Sequence, residues 1–344
     1  MRRSSLLNIG LAVLTVGVSF SCSRFSITQA ARVTRTDLIA ALAAKATDKQ
    51  SPMTFNDPLL PEQGYIRHCR IDEAWHLTRG DPAVKVAVVD GRIDPSADLA
   101  GVVFSEHRWV DGAPPSHATP IAGIIGARQG NREGIAGIAR CSIISEVAQT
   151  PSNFPEAITA EAIIDAATAG AKVINCSFGT PTRSARLESA VNRATAMGAV
   201  VVAAAMNEGN GVRYYPAGFE AAIAVGSVDS FDQASIFSNY GPWLSIAAPG
   251  ESLITIFPGG PRTYDYFSGT SASAAVISGI IALMFAVNPD LSPGEVRAIL
   301  EQTAVNRGNR KYNPLVGFGS VDAYRAVKVA AGLRRAPELA AESP

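Results

Sequence analysis

The sequence has little of what several classes of protein depend on. Its 344 residues include only 4 cysteines, 4 histidines and 3 tryptophans, and aromatic residues make up 7% of the chain. The 30 basic side chains are balanced by 30 acidic ones, so the basic excess typical of nucleic-acid-binding proteins is missing. Hydrophobic residues make up 47% and charged residues only 17%, which argues against intrinsic disorder. The length allows one large domain or two small ones, each with a buried core.

The few cysteines offer no disulfide framework. Only Cys69, Cys141 and Cys176 follow Cys22, and an odd number with irregular spacing does not match a disulfide-stabilised fold. Cys176 lies in a strand-like run and is expected to be a small buried hydrophobic residue. A bridge between Cys69 and Cys141 stays open as an alternative. The cysteines and histidines also lack the spacing of a zinc site.

A short apolar run lies near the N-terminus. Two arginines precede the apolar residues 6–20, a pattern typical of a secretory signal peptide, with a single transmembrane anchor as the alternative. We expect a signal peptide over residues 1–22 and an exported protein, periplasmic or extracellular. Residues 19–22 weakly resemble a lipoprotein processing site, so the expected attachment to a membrane is limited to a lipid anchor at Cys22.

Apolar strands and helical patterns alternate between residues 56 and 329. Continuous apolar runs are typical of buried parallel strands. The alternation predicts an α/β fold, a single doubly wound domain with a mostly parallel sheet flanked by helices. Residues 23–55 are expected to be a short pro-like or linker segment, and residues 330–344 a flexible tail. Strands are predicted at 84–89, 172–176, 200–205 and 222–228, and helices at 121–127, 155–169, 184–197, 270–287 and 293–304.

Four polar residues stand at the ends of these elements. Asp90 and Asn207 follow predicted strands, and His117 and Ser271 precede predicted helices. Each has an ordinary explanation on its own, as a turn residue, a surface histidine or a helix cap. Together they supply an acid, an amide donor, a base and a nucleophile, which is the set that acyl transfer needs. In doubly wound sheets such sites form beyond the carboxyl ends of the strands.

The sequence around these residues resembles the subtilases, the subtilisin-like serine peptidases. The resemblance runs from about residue 57 to 329, and the order Asp, His, Ser is the subtilisin order. The segments that carry the resemblance most specifically are Val86–Asp90, His117–Gly123, Ile174–Gly179, Ala203–Gly209 and Gly269–Ser271.

The resemblance implies a secreted endopeptidase that hydrolyses peptide bonds through an acyl-enzyme. Ser271 would attack the scissile carbonyl, His117 would act as base and then as acid, and Asp90 would orient His117. Asn207 and the backbone N–H of Ser271 would hold the oxyanion.

The resemblance also implies where a peptide or protein substrate would bind. The substrate would pair as an added strand along Ser177, Phe178 and Gly179. Residues expected around the primary specificity pocket are Ala205, Met206, Tyr215, Pro216 and Ala217. No cofactor is expected for the chemistry, and a structural Ca²⁺ is implied only for the loop Arg128–Gly134. We expect a monomer without a nucleic-acid partner.

Residues beside each motif depart from the pattern of the family. Gly91 follows Asp90 where the family has a hydroxyl, and Arg92 adds a cation that could compete with His117 for Asp90. Met206 replaces a glycine and is expected to fill part of the specificity pocket. Two hypotheses follow, an active endopeptidase that prefers small side chains and a pseudoenzyme that binds peptides in its groove. Further departures are Ala118, Ala272, Ala275 and Val276.

Overall fold

A computed structural model describes residues 55–111, 117–150, 154–306 and 311–334. The expectations for the signal peptide, for residues 23–54 and for the end of the tail lie outside these residues. The strands are β1 Gly80–Asp90, β2 Val103–Arg108, β3 Arg140–Val147, β4 Val173–Cys176, β5 Val200–Ala204, β6 Ala222–Val228, β7 Ile246–Pro249, β8 Leu253–Ile256 and β9 Tyr264–Phe267. The helices are α1 Gly64–His68, α2 Ile71–Ala74, α3 Ala118–Gly126, α4 Glu156–Thr168, α5 Ala185–Ala196, α6 Thr270–Val287, α7 Pro293–Thr303 and α8 Ala323–Gly332.

Seven parallel strands form the central sheet in the order β2-β3-β1-β4-β5-β6-β7. β8 and β9 form a separate antiparallel pair. Helices cover both faces of the large sheet, which confirms the predicted doubly wound α/β fold. The carboxyl ends of β1, β4 and β5 lie side by side because these strands are parallel neighbours.

Alternating side chains of each strand enter two separate cores. In β1, Val86 and Val88 pack into the core that contains α3, α6 and α8. Ala87 and Val89 pack into the core on the other face, under α4 and α5. This division follows from the two-residue period of a strand. A buried strand with helices on both faces therefore has a continuous apolar run.

Helix α6 is the central helix of the larger core. It covers residues 270–287 as predicted, and by length and composition it could span a membrane. However, 89% of it is buried inside the fold, which identifies it as a core helix. Helix α7 begins with the predicted capping box, in which Ser292 and Glu295 satisfy each other's backbone N–H groups.

Some elements differ from the expectations. The sequence did not predict strands β2, β3, β7, β8 and β9 or helices α1, α2 and α8. Helix α8 continues to Gly332, two residues beyond the expected start of the tail, because Val329 and Ala330 are fully buried. Cys69 and Cys141 are free, so no bridge joins them, and Cys176 is buried as predicted.

Candidate active site

The predicted site residues lie at one edge of the sheet. Asp90 ends β1, and Asn207 follows β5 by three residues. His117 directly precedes α3, and Ser271 lies in the first turn of α6. These helices pack on the same face of the sheet, which brings four residues that are far apart in sequence into one cleft.

A chain of hydrogen bonds joins an acid, a histidine and a serine. Nδ1 of His117 lies 2.8 Å from Oδ2 of Asp90, and Nε2 of His117 lies 3.1 Å from Oγ of Ser271. Asp90 is fully buried, Ser271 is buried, and the side chain of His117 is 31% exposed. The arrangement suits a hydroxyl that gives its proton to Nε2 while the carboxylate holds the Nδ1 proton.

Two opposing effects act on the pKa of His117. Burial lowers this pKa, because the cation loses hydration. The negative charge of Asp90 and its hydrogen bond to Nδ1 act in the other direction, and the net result is a pKa above the usual 6.5. Asp90 therefore stabilises the imidazolium that would form during catalysis.

The backbone supports Asp90 where the family has a hydroxyl. The N–H of Gly91 donates to Oδ1 of Asp90 at 2.7 Å. The expectation that Arg92 competes for this carboxylate is not met, because its guanidinium pairs with Oδ1 of Asp94 at 3.0 Å. Phe267 adds an edge-on ring contact to His117, with 5.6 Å between ring centroids.

Two donors face the cleft beside Ser271. Oδ1 of Asn207 accepts hydrogen bonds from the backbone N–H and from Oγ1 of Thr270, at 2.8 and 3.0 Å. These bonds fix the orientation of the amide, and its Nδ2 makes no hydrogen bond within the described residues. The N–H of Ser271 is also unpaired there, as expected in the first turn of a helix. The positioning role of Thr270 was not predicted from the sequence.

The backbone of Ser177, Phe178 and Gly179 is open for pairing. Across the ranges that the structure covers, none of these residues makes a backbone–backbone hydrogen bond. The chain is anchored immediately beyond, where Thr180 and Tyr215 exchange two backbone hydrogen bonds of 3.0 and 2.9 Å. The expected substrate strand would therefore meet a fixed and unpaired edge.

Met206 lies against this edge. A Cβ placed on Gly179 would come 2.9 Å from Cγ of Met206, 3.0 Å from its Sδ and 3.3 Å from Cβ of Tyr214. The backbone of Met206 has a φ of +77°, a conformation in which glycine is favoured. Of the other pocket residues, Ala205, Pro216 and Ala217 are buried and Tyr215 is half-buried. A cavity of about 510 Å³ lies beside Phe178 and Gly179, also lined by Phe154 and Leu187.

The two carboxylates beside the loop 128–134 are hydrogen-bonded to protein donors. The carboxylate of Asp57 accepts hydrogen bonds from the backbone N–H groups of Gly130 and Asn131. The carboxylate of Asp98 accepts from Nδ2 of Asn131, the N–H of Ile135 and the hydroxyl of Tyr264. These bonds hold the loop against the two carboxylates, and the calcium implied for the loop stays a prediction.

Sequence comparisons relate the chain to a family of known proteins. A sequence model described as the subtilase family matches residues 81–319. A thermophilic serine proteinase of Bacillus sp. (strain AK1) is 37% identical over 74% of this chain and 64% of its own length. Thermitase of Thermoactinomyces vulgaris is 36% identical over 80% of this chain and 99% of its own. The chain thus spans nearly all of the second relative but less than two thirds of the first.

Solved structures show the same fold. A protease of Pseudoalteromonas arctica has a TM-score of 0.72 and 26% identity, covering 81% of this chain and 100% of its own. Fervidolysin of Fervidobacterium pennivorans is described as a keratinolytic enzyme related to subtilisin. It has a TM-score of 0.73 and 26% identity, and the match covers 79% of this chain and 46% of its own. On the matched motifs, the family model and these relatives, the chain belongs to the subtilase family of subtilisin-like serine peptidases.

Proposed function

We propose that the chain is an endopeptidase that hydrolyses peptide bonds through an acyl-enzyme on Ser271. The observation that carries this proposal is the unbroken hydrogen-bonded chain from Asp90 through His117 to Ser271. Membership of the subtilase family supports the reaction class. No feature of the site favours the alternative of a peptide-binding pseudoenzyme, because the motif departures leave each reacting atom within hydrogen-bond reach.

The reaction would proceed in two halves. Oγ of Ser271 attacks the scissile carbonyl carbon and transfers its proton to Nε2 of His117. The imidazolium, stabilised by Asp90, then protonates the leaving amine, and the C–N bond breaks to leave an ester on Ser271. Water attacks this ester while His117 removes its proton, and proton return to Oγ releases the carboxylic acid and restores the hydroxyl.

The developing oxyanion would be held by Nδ2 of Asn207 and the N–H of Ser271. Both groups lack a partner in the described part of the molecule, and Thr270 aims the amide of Asn207. One such preorganised donor is worth about 10²–10³ in kcat. The start of α6 adds the positive end of the helix dipole at the same place.

The substrate would bind as an extended strand along Ser177–Gly179. Main-chain hydrogen bonds to this unpaired edge would supply affinity with little dependence on sequence. Met206 restricts the space beside Gly179, so a small side chain is favoured immediately before the scissile bond. The cavity beside Phe178 would accommodate an apolar side chain elsewhere in the peptide.

The export of the protein is a further proposal that rests on the sequence. The charged start and the apolar residues 6–20 support a signal peptide, and an exported monomer would act on peptides outside the cytoplasm. Cys22 would be the attachment point if a lipid anchor is added. N-terminal sequencing of the exported protein tests the processing site, and an intact N-terminus would contradict it.

Hydrolysis of a fluorogenic peptide by purified protein tests the proposed activity. Ser271→Ala should abolish acyl-enzyme turnover, whereas Ser268→Ala, three residues earlier and exposed, should retain it. Equal turnover by wild type and Ser271→Ala would overturn the assignment of the nucleophile. Binding of the peptide by wild type without any hydrolysis would favour the pseudoenzyme.

A further inference from the structure

A cluster of His107, Glu146 and Asp165 lies apart from the catalytic cleft. His107 on the edge strand β2 is directly paired with Glu146 on β3. Asp165 lies on α4, which covers the sheet face opposite the catalytic helix α6. Glu146 shares that face, since it is two residues from Ile144, which packs in the core under α4.

The ligand atoms of the cluster converge on one point. Nδ1 of His107 lies 2.9 Å from Oδ2 of Asp165 and 3.8 Å from Oε2 of Glu146. One ligand atom from each residue lies within 4.8 Å of the others. Zinc bonds of about 2.0–2.1 Å in tetrahedral geometry place ligand atoms about 3.3 Å apart. The two separations from Nδ1 of His107, 2.9 and 3.8 Å, lie within about 0.5 Å of this value.

The buried side chain of Glu146 points independently to a cation site. Its side chain is fully buried, and its Oε1 has no hydrogen-bond partner among the described residues. A buried carboxylate oxygen without a partner is costly. A cation would relieve both the unpaired oxygen and the repulsion between the two carboxylates.

The surroundings also resemble those of a metal site. The indole N–H of Trp109 donates to Oε2 of Glu146 at 2.6 Å and fixes its orientation. The Trp109 ring also packs against His107, with 4.4 Å between centroids. An imidazole with carboxylates favours zinc over calcium. His107 is 49% exposed, which leaves a coordination position open to water.

We propose that His107, Glu146 and Asp165 bind a zinc ion that fastens the edge strand β2 to β3 and helix α4. The role is structural, because the three residues lie on the far side of the sheet from the triad. An exposed ion pair between His107 and Asp165 would contribute little by itself, whereas a shared metal links three separate elements.

Calorimetric titration with Zn²⁺ and thermal unfolding test this proposal in the full chain. We would use the Ser271→Ala background, so that autolysis cannot occur and the result does not depend on the proposed activity. After treatment with EDTA, we expect one Zn²⁺ to bind per chain and to raise the Tm. His107→Ala should abolish this binding, and Trp109→Phe should weaken it about 10- to 100-fold. His76→Ala, which removes an exposed histidine outside the cluster, should change nothing.

Three results would overturn the proposal. They are no saturable Zn²⁺ binding, equal affinity in His107→Ala, or identical Tm values with EDTA and with Zn²⁺. Glu146→Gln keeps the size of the buried side chain and provides a second ligand test. If Glu146→Gln fails to fold, the comparison of His107→Ala with His76→Ala still decides the question, because both residues are at least partly exposed.

Discussion

Met206 offers a direct test of how the specificity pocket is restricted. The substitution Met206→Gly removes the side chain that lies against Gly179. We expect the variant to fold, because the φ of +77° at this position is favourable for glycine. The backbone N–H of residue 206 would also keep its 3.0 Å hydrogen bond to Oγ1 of Thr270.

The size of the effect follows from the apolar surface that the pocket could then bury. Each additional buried methyl or methylene group is worth about 0.8 kcal/mol. Leucine has three more carbons than alanine, so a fully opened pocket gains about 2.4 kcal/mol for leucine relative to alanine. This corresponds to a change of roughly 50-fold in relative kcat/KM, since about 1.4 kcal/mol is a factor of ten. The value is an upper limit, because incomplete burial would reduce it.

The assay measures kcat/KM for matched peptides with alanine or leucine before the scissile bond. Wild type should prefer alanine, and Met206→Gly should shift the ratio towards leucine. Arg132→Gly is a matched control, because Arg132 also has a positive φ, of 66°, but is exposed in the loop 128–134. An unchanged ratio in Met206→Gly, with folding intact, would refute the role assigned to Met206.

Three further predictions concern the reaction and the stability of the fold. Asn207→Ala should lower kcat about 10²- to 10³-fold with little change in KM. A comparable rise in KM with unchanged kcat would contradict an oxyanion role. The acid limb of the kcat/KM profile should lie above pH 6.5, because His117 must be neutral to act as base and its pKa is raised. Asp90→Asn should move this limb to lower pH. An unmoved limb would show that Asp90 does not raise the pKa of His117. Ile163→Ala, in the core under α4, should reduce the free energy of unfolding by about 2–5 kcal/mol, measured by denaturant titration, and a loss below about 1 kcal/mol would contradict tight packing there.

Several elements that the sequence predicted have all their residues in one environment. Strands such as β6 and helices such as α6 are buried on all sides, so their apolar runs are continuous. Strand β2 was not predicted because it is an exposed edge strand rich in polar residues. The buried Ser145 and Glu146 interrupt the apolar pattern of β3. The apolar pattern therefore failed in β2, which has few apolar residues, and in β3, which has polar residues at buried positions.

The main residues of the site were recognisable because they stand at element ends and match family motifs. Their supporting contacts depend on packing between distant segments. Thr270 holds Asn207 across 63 residues of sequence, and no local pattern indicates this. Arg92 has two nearby carboxylates in sequence, and the fold alone shows that it pairs with Asp94. The cluster around Glu146 could likewise not be predicted from the sequence. The pairing of strands β2 and β3, and not the spacing of residues along the chain, brings its members together.

Labelling of the purified protein with a fluorophosphonate, followed by mass-spectrometric mapping of the modified residue, would show whether Ser271 is an activated nucleophile. The reagent reacts with a serine hydroxyl only where a base activates it. It therefore reports on the chain of hydrogen bonds from Asp90 through His117 to Ser271. We expect one modification per chain, on Ser271, and its loss in His117→Ala. An unmodified protein, or a modification on another serine, would contradict the assignment of Ser271 as the nucleophile.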